Sequence, residues 1–371
     1  MKALAVFPQD RRFGVIDHPE PALKSPHEVM IRMLEVGICG TDKEIVGFQY
    51  GEPPEGSNYL VLGHESLGEV VEMGSNVTHL KRGDLAVVTV RRPCGIPSCT
   101  ACAAGRQDFC FTGDYTERGI MKRHGYMTEF VCEEARYVNP VPRALRDVAV
   151  LVEPLTIAEK GVEQLWEIQR RLPWAATDEN GKPSGRGRNA LVLGAGPVGI
   201  LGTMKLILEG FETTVYSRVP PASDVSGLLR SIGARFVDAA STDVPTLAKQ
   251  MGTIDMVYEA TGVSSLAFQV MEYLGVNGAF VLTGVPGHKP PVGVDTDKLM
   301  RDRVLKNQVV FGTVNASVEN FRNAISDIGA FAERWPRALG EIITHRVPLQ
   351  DATEPLSGKI GGIKNVVAVA S

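Results

Sequence analysis

The run Asn189-Ala190-Leu191-Val192-Leu193 leads straight into Gly194-Ala195-Gly196-Pro197-Val198-Gly199, and a helical pattern follows to residue 208. A Gly-x-Gly-x-x-Gly turn is weak evidence alone, because glycine is common in loops. Between an apolar strand and a helix it admits few folds. Gly194 permits the tight turn, Gly196 lets a pyrophosphate approach the backbone, and Gly199 lets helix and strand pack closely. The first N–H groups of the helix and the positive end of its dipole then face the phosphates. The chain here must be a βαβ unit, and the turn reads as a dinucleotide site. Further strand-like runs at 213–216, 254–258, 279–282 and 309–311 alternate with helical patterns. That alternation predicts a doubly wound parallel sheet, covered by helices on both faces.

The end of the second strand speaks to which dinucleotide is bound. An NAD-selective site usually carries an acid roughly 20 residues beyond the turn, for the ribose 2′-hydroxyl. Thr214-Val215-Tyr216-Ser217-Arg218 has none. Ser217 and Arg218 instead suit a 2′-phosphate. NADP is favoured, with NAD left open.

A chain of 371 residues is long for a single core, and its texture changes along its length. Residues 1–150 read as short strands broken by Gly, Pro and Asp. Residues 154–171 have helical spacing, and 177–188 have the polar composition of a loop or linker. Beyond Asn315 come a long helical stretch at 318–335 and an apolar strand at 365–370, expected to return to the first domain. The expected organisation is a catalytic domain over 1–187, a dinucleotide domain over 188–314, and a return to the catalytic domain over 315–371. At 44% apolar, 22% charged and net charge −4, the composition is that of a soluble protein, with no electrostatic case for nucleic acid or an anionic membrane. The N-terminal apolar stretch is too short for a signal peptide, and no apolar run nears the roughly 20 residues that span a bilayer. A cytoplasmic enzyme is expected.

Cys39-Gly40-Thr41-Asp42 and Gly63-His64-Glu65 offer a thiolate and an imidazole from separate loops. Zinc accepts both, and a catalytic zinc takes a third protein ligand while keeping one position open. Glu153 is placed to be that ligand, with Glu65 neighbouring or alternating with it. Cys94, Cys99, Cys102 and Cys110 lie close together, four of six cysteines in one short segment. Four thiolates suffice for a closed structural zinc site; a disulfide would need an oxidising compartment, and an empty lobe is the other alternative.

Gly63, His64, Glu65, Gly68, Gly74 and Val77 match the signature Gly-His-Glu-x-x-Gly-x5-Gly-x-x-Val, and the chain resembles the zinc-dependent medium-chain dehydrogenases. It is most similar to their glucose dehydrogenases from archaea and bacteria. Val87-Val88-Thr89-Val90-Arg91-Arg92, Gly125-Tyr126-Met127-Thr128-Glu129-Phe130, residues 153–160 and Gly312-Thr313-Val314-Asn315-Ala316 carry this likeness. The resemblance implies a β-rich GroES-like catalytic domain joined to a Rossmann cofactor domain. It also implies catalytic zinc at Cys39, His64 and Glu153 with Glu65 nearby, sugar contacts at Asp114, Asn315 and Thr89, and a proton-relaying hydroxyl at Thr41. Asn315 would also approach the cofactor. Asp114 is shorter than the glutamate expected there. The cysteine lobe departs too, since the gap from Cys94 to Cys99 is two residues longer than usual, which puts Cys94 in question as a ligand.

The reaction implied is oxidation of an aldose at C1 to a lactone, with hydride transfer to NADP or NAD. A polyol or simple alcohol dehydrogenase is the alternative, and a catalytically silent NADP-binding protein is the second. The family pairs through its dinucleotide sheets, so a homodimer or homotetramer is expected. His288 follows a loop expected to lie near the nicotinamide.

Overall fold

A computed structural model describes residues 1–218, 224–287 and 290–370; His288 lies outside the described residues. The chain forms two compact units, one of Met1–Thr156 with Asn315–Ser371, the other of Ile157–Val314.

The second unit is built on six parallel strands in the order Arg235–Asp238, Glu212–Ser217, Asn189–Leu193, Met256–Glu259, Ala279–Leu282 and Val309–Gly312. The middle strands are nearly continuous apolar runs because helices cover both faces, and Leu191, Val257 and Phe280 share one buried cluster. From the strand Asn189–Leu193 the chain builds outward to one side, then crosses to the other at Met256–Glu259. Leu193 stands opposite Tyr216 and Glu259 in register. The loops after all three strands therefore open at one end, at the switch point where such sheets bind ligands. The strand Arg235–Asp238 has no counterpart in the sequence reading. Of its four residues only Val237 is buried, so it carries no apolar pattern.

In the first unit, the ten-residue strand Glu28–Gly37 is the hub. It pairs with Glu65–Met73 on one side, and with both Phe130–Glu134 and Lys364–Ala368 on the other, all antiparallel. Leu85–Val88 and Val138–Val141 extend the sheet beyond Glu65–Met73, and Ile343–Pro348 extends it beyond Lys364–Ala368. The terminal strand thus pairs into the N-terminal sheet. Two small sheets complete the unit: Arg12–Asp17, Lys2–Phe7 and Leu60–Val61, and Arg91–Arg92, Thr116–Arg118 and Lys122–Arg123.

The division falls inside the helix Val152–Gln169, not at residue 187. Residues 157–187 group with the parallel sheet because the helix packs there. Gly161 lies against Tyr258 and Val281, and Trp166 stacks on Phe211 at 5.6 Å while donating to Glu209 at 2.9 Å. No helix among the described residues is long and apolar enough to cross a membrane.

Candidate active site

The register of the hub strand assembles a donor set. Gly37, its last residue, stands opposite Glu65 on one side and Val366 on the other. Leaving the strand, the chain reaches Cys39, the N-cap of the helix Gly40–Val46. Cys39, His64 and Glu65 each bring a ligand atom within 4.8 Å of the others. The edges of a zinc tetrahedron are roughly 3.5 Å, so modest rotamer changes close the set around an ion. Sulfur, imidazole and carboxylate donors suit zinc, and His64 and Glu65 are buried. A side chain in place of Gly37 would overlap the Glu65 carboxylate and displace it.

Asp42 ties the two ligand loops together. It is fully buried; its Oδ2 accepts from the Cys39 N–H at 2.8 Å and its Oδ1 from the Gly63 N–H at 3.3 Å. The same Oδ1 lies 3.7 Å from His64 Nδ1, which leaves Nε2 for a metal. Burial works to lower the His64 pKa, but Asp42 and Cys39 outweigh it and hold the ring well above its ordinary value. Lys364 completes the surroundings. Its buried ammonium pairs with Glu65 and donates to the Ile38 carbonyl at 3.0 Å.

Glu153 sits in the first turn of the helix Val152–Gln169. Burial pushes its pKa up to about 7, with His64 and Lys364 opposing and Glu65 and Asp42 adding to the shift. Glu153 is buried and lies outside the compact group of three. Thr41 Oγ1 lies 3.9 Å from Cys39 Sγ. Asp42 and Lys364 are the residues that sequence reasoning missed. Asp42 stood inside a quoted motif; Lys364 had only the oddity of a lysine leading an apolar strand.

The expected sugar contacts lie in different settings. Thr89 is fully buried; its Oγ1 accepts from Arg92 at 3.1 Å and its carbonyl from the Tyr126 hydroxyl at 3.1 Å. Asp114 is exposed, and its N–H donates to Thr112 Oγ1 at 3.4 Å. Asn315 is half-buried, with φ +59°, and its Nδ2 donates to Glu117 Oε1 at 2.8 Å.

Cys94, Cys99, Cys102 and Cys110 also converge, each sulfur within 4.8 Å of the rest, so the longer first gap does not carry Cys94 away. Burial acts to raise the Cys110 thiol, but hydrogen bonding with Thr112 and Gly113 overcomes it and brings the pKa down to about 6.

In the second unit, the turn after Leu193 takes its expected shape. Gly194 has φ +102°, and a side chain at Gly199 would strike the Gly194 carbonyl. Gly196 caps the helix Pro197–Leu208 without a side-chain bond, leaving the first N–H groups open, and both Ala195 and Val198 are half-buried beside it. The buried Glu259 organises neighbouring loops. Its Oε1 accepts from the N–H groups of Thr261 and Gly262 at 2.6 and 2.9 Å, and its Oε2 from Gly284 at 3.2 Å. At the end of the adjacent strand, Ser217 is half-buried and Arg218 exposed.

Comparison with known proteins matches residues 25–143 to the alcohol dehydrogenase GroES-like domain and residues 146–369 to the glucose dehydrogenase C-terminus. The chain is 38% identical over 374 residues to a glucose 1-dehydrogenase of Methanocella arvoryzae, with both chains covered in full. It is 39% identical over 377 residues to that of Thermoproteus tenax, covering 100% of this chain and 99% of the relative. Among solved structures, the Haloferax mediterranei glucose dehydrogenase in complex with NADP, zinc and gluconolactone superposes with a TM-score of 0.88 at 32% identity, both chains covered in full.

Proposed function

The chain belongs to the glucose dehydrogenase family of GroES-like dehydrogenases, and on that footing we propose that it oxidises an aldose, D-glucose foremost, at C1 to the lactone. The C1 hydride goes to NADP and the hydroxyl proton to solvent. The observation that supports this reading is the convergence of half-buried Cys39 with buried His64 and Glu65, donors that suit a catalytic zinc.

Cys39 and His64 would hold the ion, with Glu153 and Glu65 as the carboxylates beside it. Bound there, zinc supplies a Lewis acid that eases ionisation of a substrate hydroxyl. Thr41 accepts the hydroxyl proton and passes it outward. Asp114 and Asn315 bind the remaining hydroxyls, and polar contacts of this kind discriminate far better than apolar ones. Thr89, expected among them, is fully buried and engaged by Arg92 and Tyr126, so it supports the site from behind. The turn residues Gly194, Ala195, Gly196, Pro197, Val198 and Gly199 cradle the pyrophosphate with backbone N–H groups. Ser217 and Arg218 take the 2′-phosphate, which makes NADP the preferred cofactor and NAD the poorer one.

Cys94, Cys99, Cys102 and Cys110 would hold a second, structural zinc, which suits the reducing cytoplasm. Pairing into a homodimer, or a tetramer of dimers, is supported by the open edge strand Val309–Gly312 and by exposed Met300 and Leu305.

The test is NADP reduction with a panel of aldoses and simple alcohols, before and after chelation and zinc restoration. Aldose-dependent NADPH formation that is lost on chelation and regained with zinc supports the reading. Turnover confined to simple alcohols or polyols replaces the substrate. A folded sample that binds NADP but turns over nothing makes it a silent binding protein.

A further inference from the structure

Four hydrogen-bond donors converge on the carboxylate that ends the strand Met256–Glu259. Glu259 is 1% exposed. Its Oε1 accepts from the N–H and the hydroxyl of Thr261 at 2.6 and 2.5 Å, and from the Gly262 N–H at 2.9 Å. Its Oε2 accepts from the Gly284 N–H at 3.2 Å, while its carbonyl accepts from the Thr283 hydroxyl at 2.6 Å. Two loops that follow different strands are thus gathered onto one residue. Hydrogen bonds to a carboxylate are stronger than those between neutral groups, so the carboxylate fixes where these loops run.

The loops also pack backbone to backbone. A Cβ on Gly262 would lie 2.6 Å from the Val285 carbonyl oxygen, and one on Gly284 would lie 2.2 Å from Gly262 N. A Cβ on Gly194 would lie 2.7 Å from Thr261 Cγ2, so the first loop rests directly on the glycine turn. A dinucleotide lies across the crevice at the switch point, with its pyrophosphate on that turn. Its 2′-substituted ribose goes toward Ser217 and Arg218, at the end of the strand Glu212–Ser217. The nicotinamide nucleoside therefore extends the other way, over the strands Met256–Glu259 and Ala279–Leu282. The loops that Glu259 gathers are the ones that follow these two strands.

We propose that Glu259 is a positioning residue for the nicotinamide half of the cofactor: its carboxylate draws residues 260–262 and 283–285 into one wall beside the glycine turn. Buried as it is, Glu259 acts through the backbone of these loops and not by touching the cofactor. This rests on the reading of the turn as the NADP site, and the experiment separates the two.

The wild type, Glu259→Gln and Thr261→Val are compared as zinc-loaded full chains. The readouts are the dissociation constants of NADP and of adenosine 2′,5′-bisphosphate, kcat, the deuterium isotope effect on kcat with glucose labelled at C1, and Tm. In Glu259→Gln the amide oxygen keeps the three donors of the first loop, and the amide nitrogen is turned against the Gly284 N–H. The NADP dissociation constant rises and kcat falls, each about 10-fold, and the isotope effect grows as hydride transfer slows. Binding of the bisphosphate, which has no nicotinamide half, stays within about 2-fold of the wild type. Thr261→Val removes a single donor and weakens NADP alone by about 3-fold; if Glu259→Gln fails to fold, this variant carries the test. Equal weakening of NADP and bisphosphate, or a fall in Tm with no change in the isotope effect, reduces Glu259 to a structural residue and overturns the proposal. NADP affinity and kcat that hold in both variants overturn it as well, because the loops then keep their places unaided. A wild-type chain that binds NADP but not the bisphosphate removes the reading of the turn, and this proposal with it.

Discussion

The ammonium of Lys364 and the carboxylate of Glu65 form a buried ion pair, although 299 positions separate them in sequence. The hub strand explains the meeting, since Lys364 begins the strand on one side of it and Glu65 the strand on the other. Burial alone would lower the Lys364 pKa; Glu65, then Cys39, reverse that and hold it above its ordinary value. In the metal-free protein, Lys364 is thus a cation that compensates the buried Glu65 carboxylate. Lys364→Met leaves that charge uncompensated, and urea unfolding of the chelated protein should show a loss of roughly 3–5 kcal/mol. Zinc would replace the missing charge, so the loss should be smaller in the zinc-loaded enzyme. Equal losses in both forms would refute the idea.

Asp42 accepts from both ligand loops at once, and asparagine cannot repeat this. Turned either way, its Nδ2 confronts the N–H of Cys39 or of Gly63. Asp42→Asn also removes the charge that lifts the His64 pKa. Partners of this kind typically contribute 10–100-fold in metal affinity, so chelator competition should show zinc binding weakened by about that factor. An unchanged affinity would mean that the two loops hold their places without Asp42.

These two residues mark where sequence reading stops. The shape of the turn at residues 194–199 was legible because its glycines are close in sequence, and its flanking strand and helix carry clear patterns. That Cys39, His64 and Glu65 come together was legible from their residue types and motifs. Lys364 was not, because its partner is set by strand pairing, and nothing in the terminal segment states which strand it joins. The boundary inside the helix Val152–Gln169 was missed for a related reason. The polar stretch at 177–188 looks like a linker, while the packing of Gly161 and Trp166 that assigns the helix is invisible in composition.

His124 gives the first unit a sensitivity to acid. Its ring stacks on Tyr59 at 5.0 Å and meets His18 edge-on at 5.1 Å, and its Nδ1 accepts from the Val61 N–H at 3.1 Å. Burial, and then the charges of His18 and Arg118, bring its pKa from 6.5 down to about 4. The folded value lies below the unfolded one, so the neutral ring is the form that folding favours. Above pH 6.5 neither state is charged and the group has no effect on stability. As pH falls from 6.5 to about 4 the unfolded chain takes up the proton first and stability drops, with no further loss below. His124→Asn keeps an acceptor for Val61 without the titration. Its Tm should fall less steeply than that of the wild type across this window, and parallel curves would remove His124 as a cause.

Arg218 follows the strand Glu212–Ser217, whose Tyr216 lies opposite Leu193 in the strand leading into the glycine turn. A nucleotide whose pyrophosphate occupies the turn places its ribose toward the end of that neighbouring strand. No acid stands there to bind a 2′-hydroxyl and repel a 2′-phosphate, and Arg218 is exposed. A charge-assisted hydrogen bond contributes roughly 1.5–3 kcal/mol, so Arg218→Ala should raise the NADP KM about 10- to 100-fold. The NAD KM should hardly move, because NAD has no phosphate for Arg218 to lose. Ser217→Asp makes the complementary change, supplying an acceptor for the hydroxyl and a repulsion for the phosphate. It should lower the NAD KM while raising that for NADP. Measured together, the two variants separate charge pairing from general damage to the site. Damage raises both constants in both variants, and that pattern would remove Arg218 as the reader of the 2′-position.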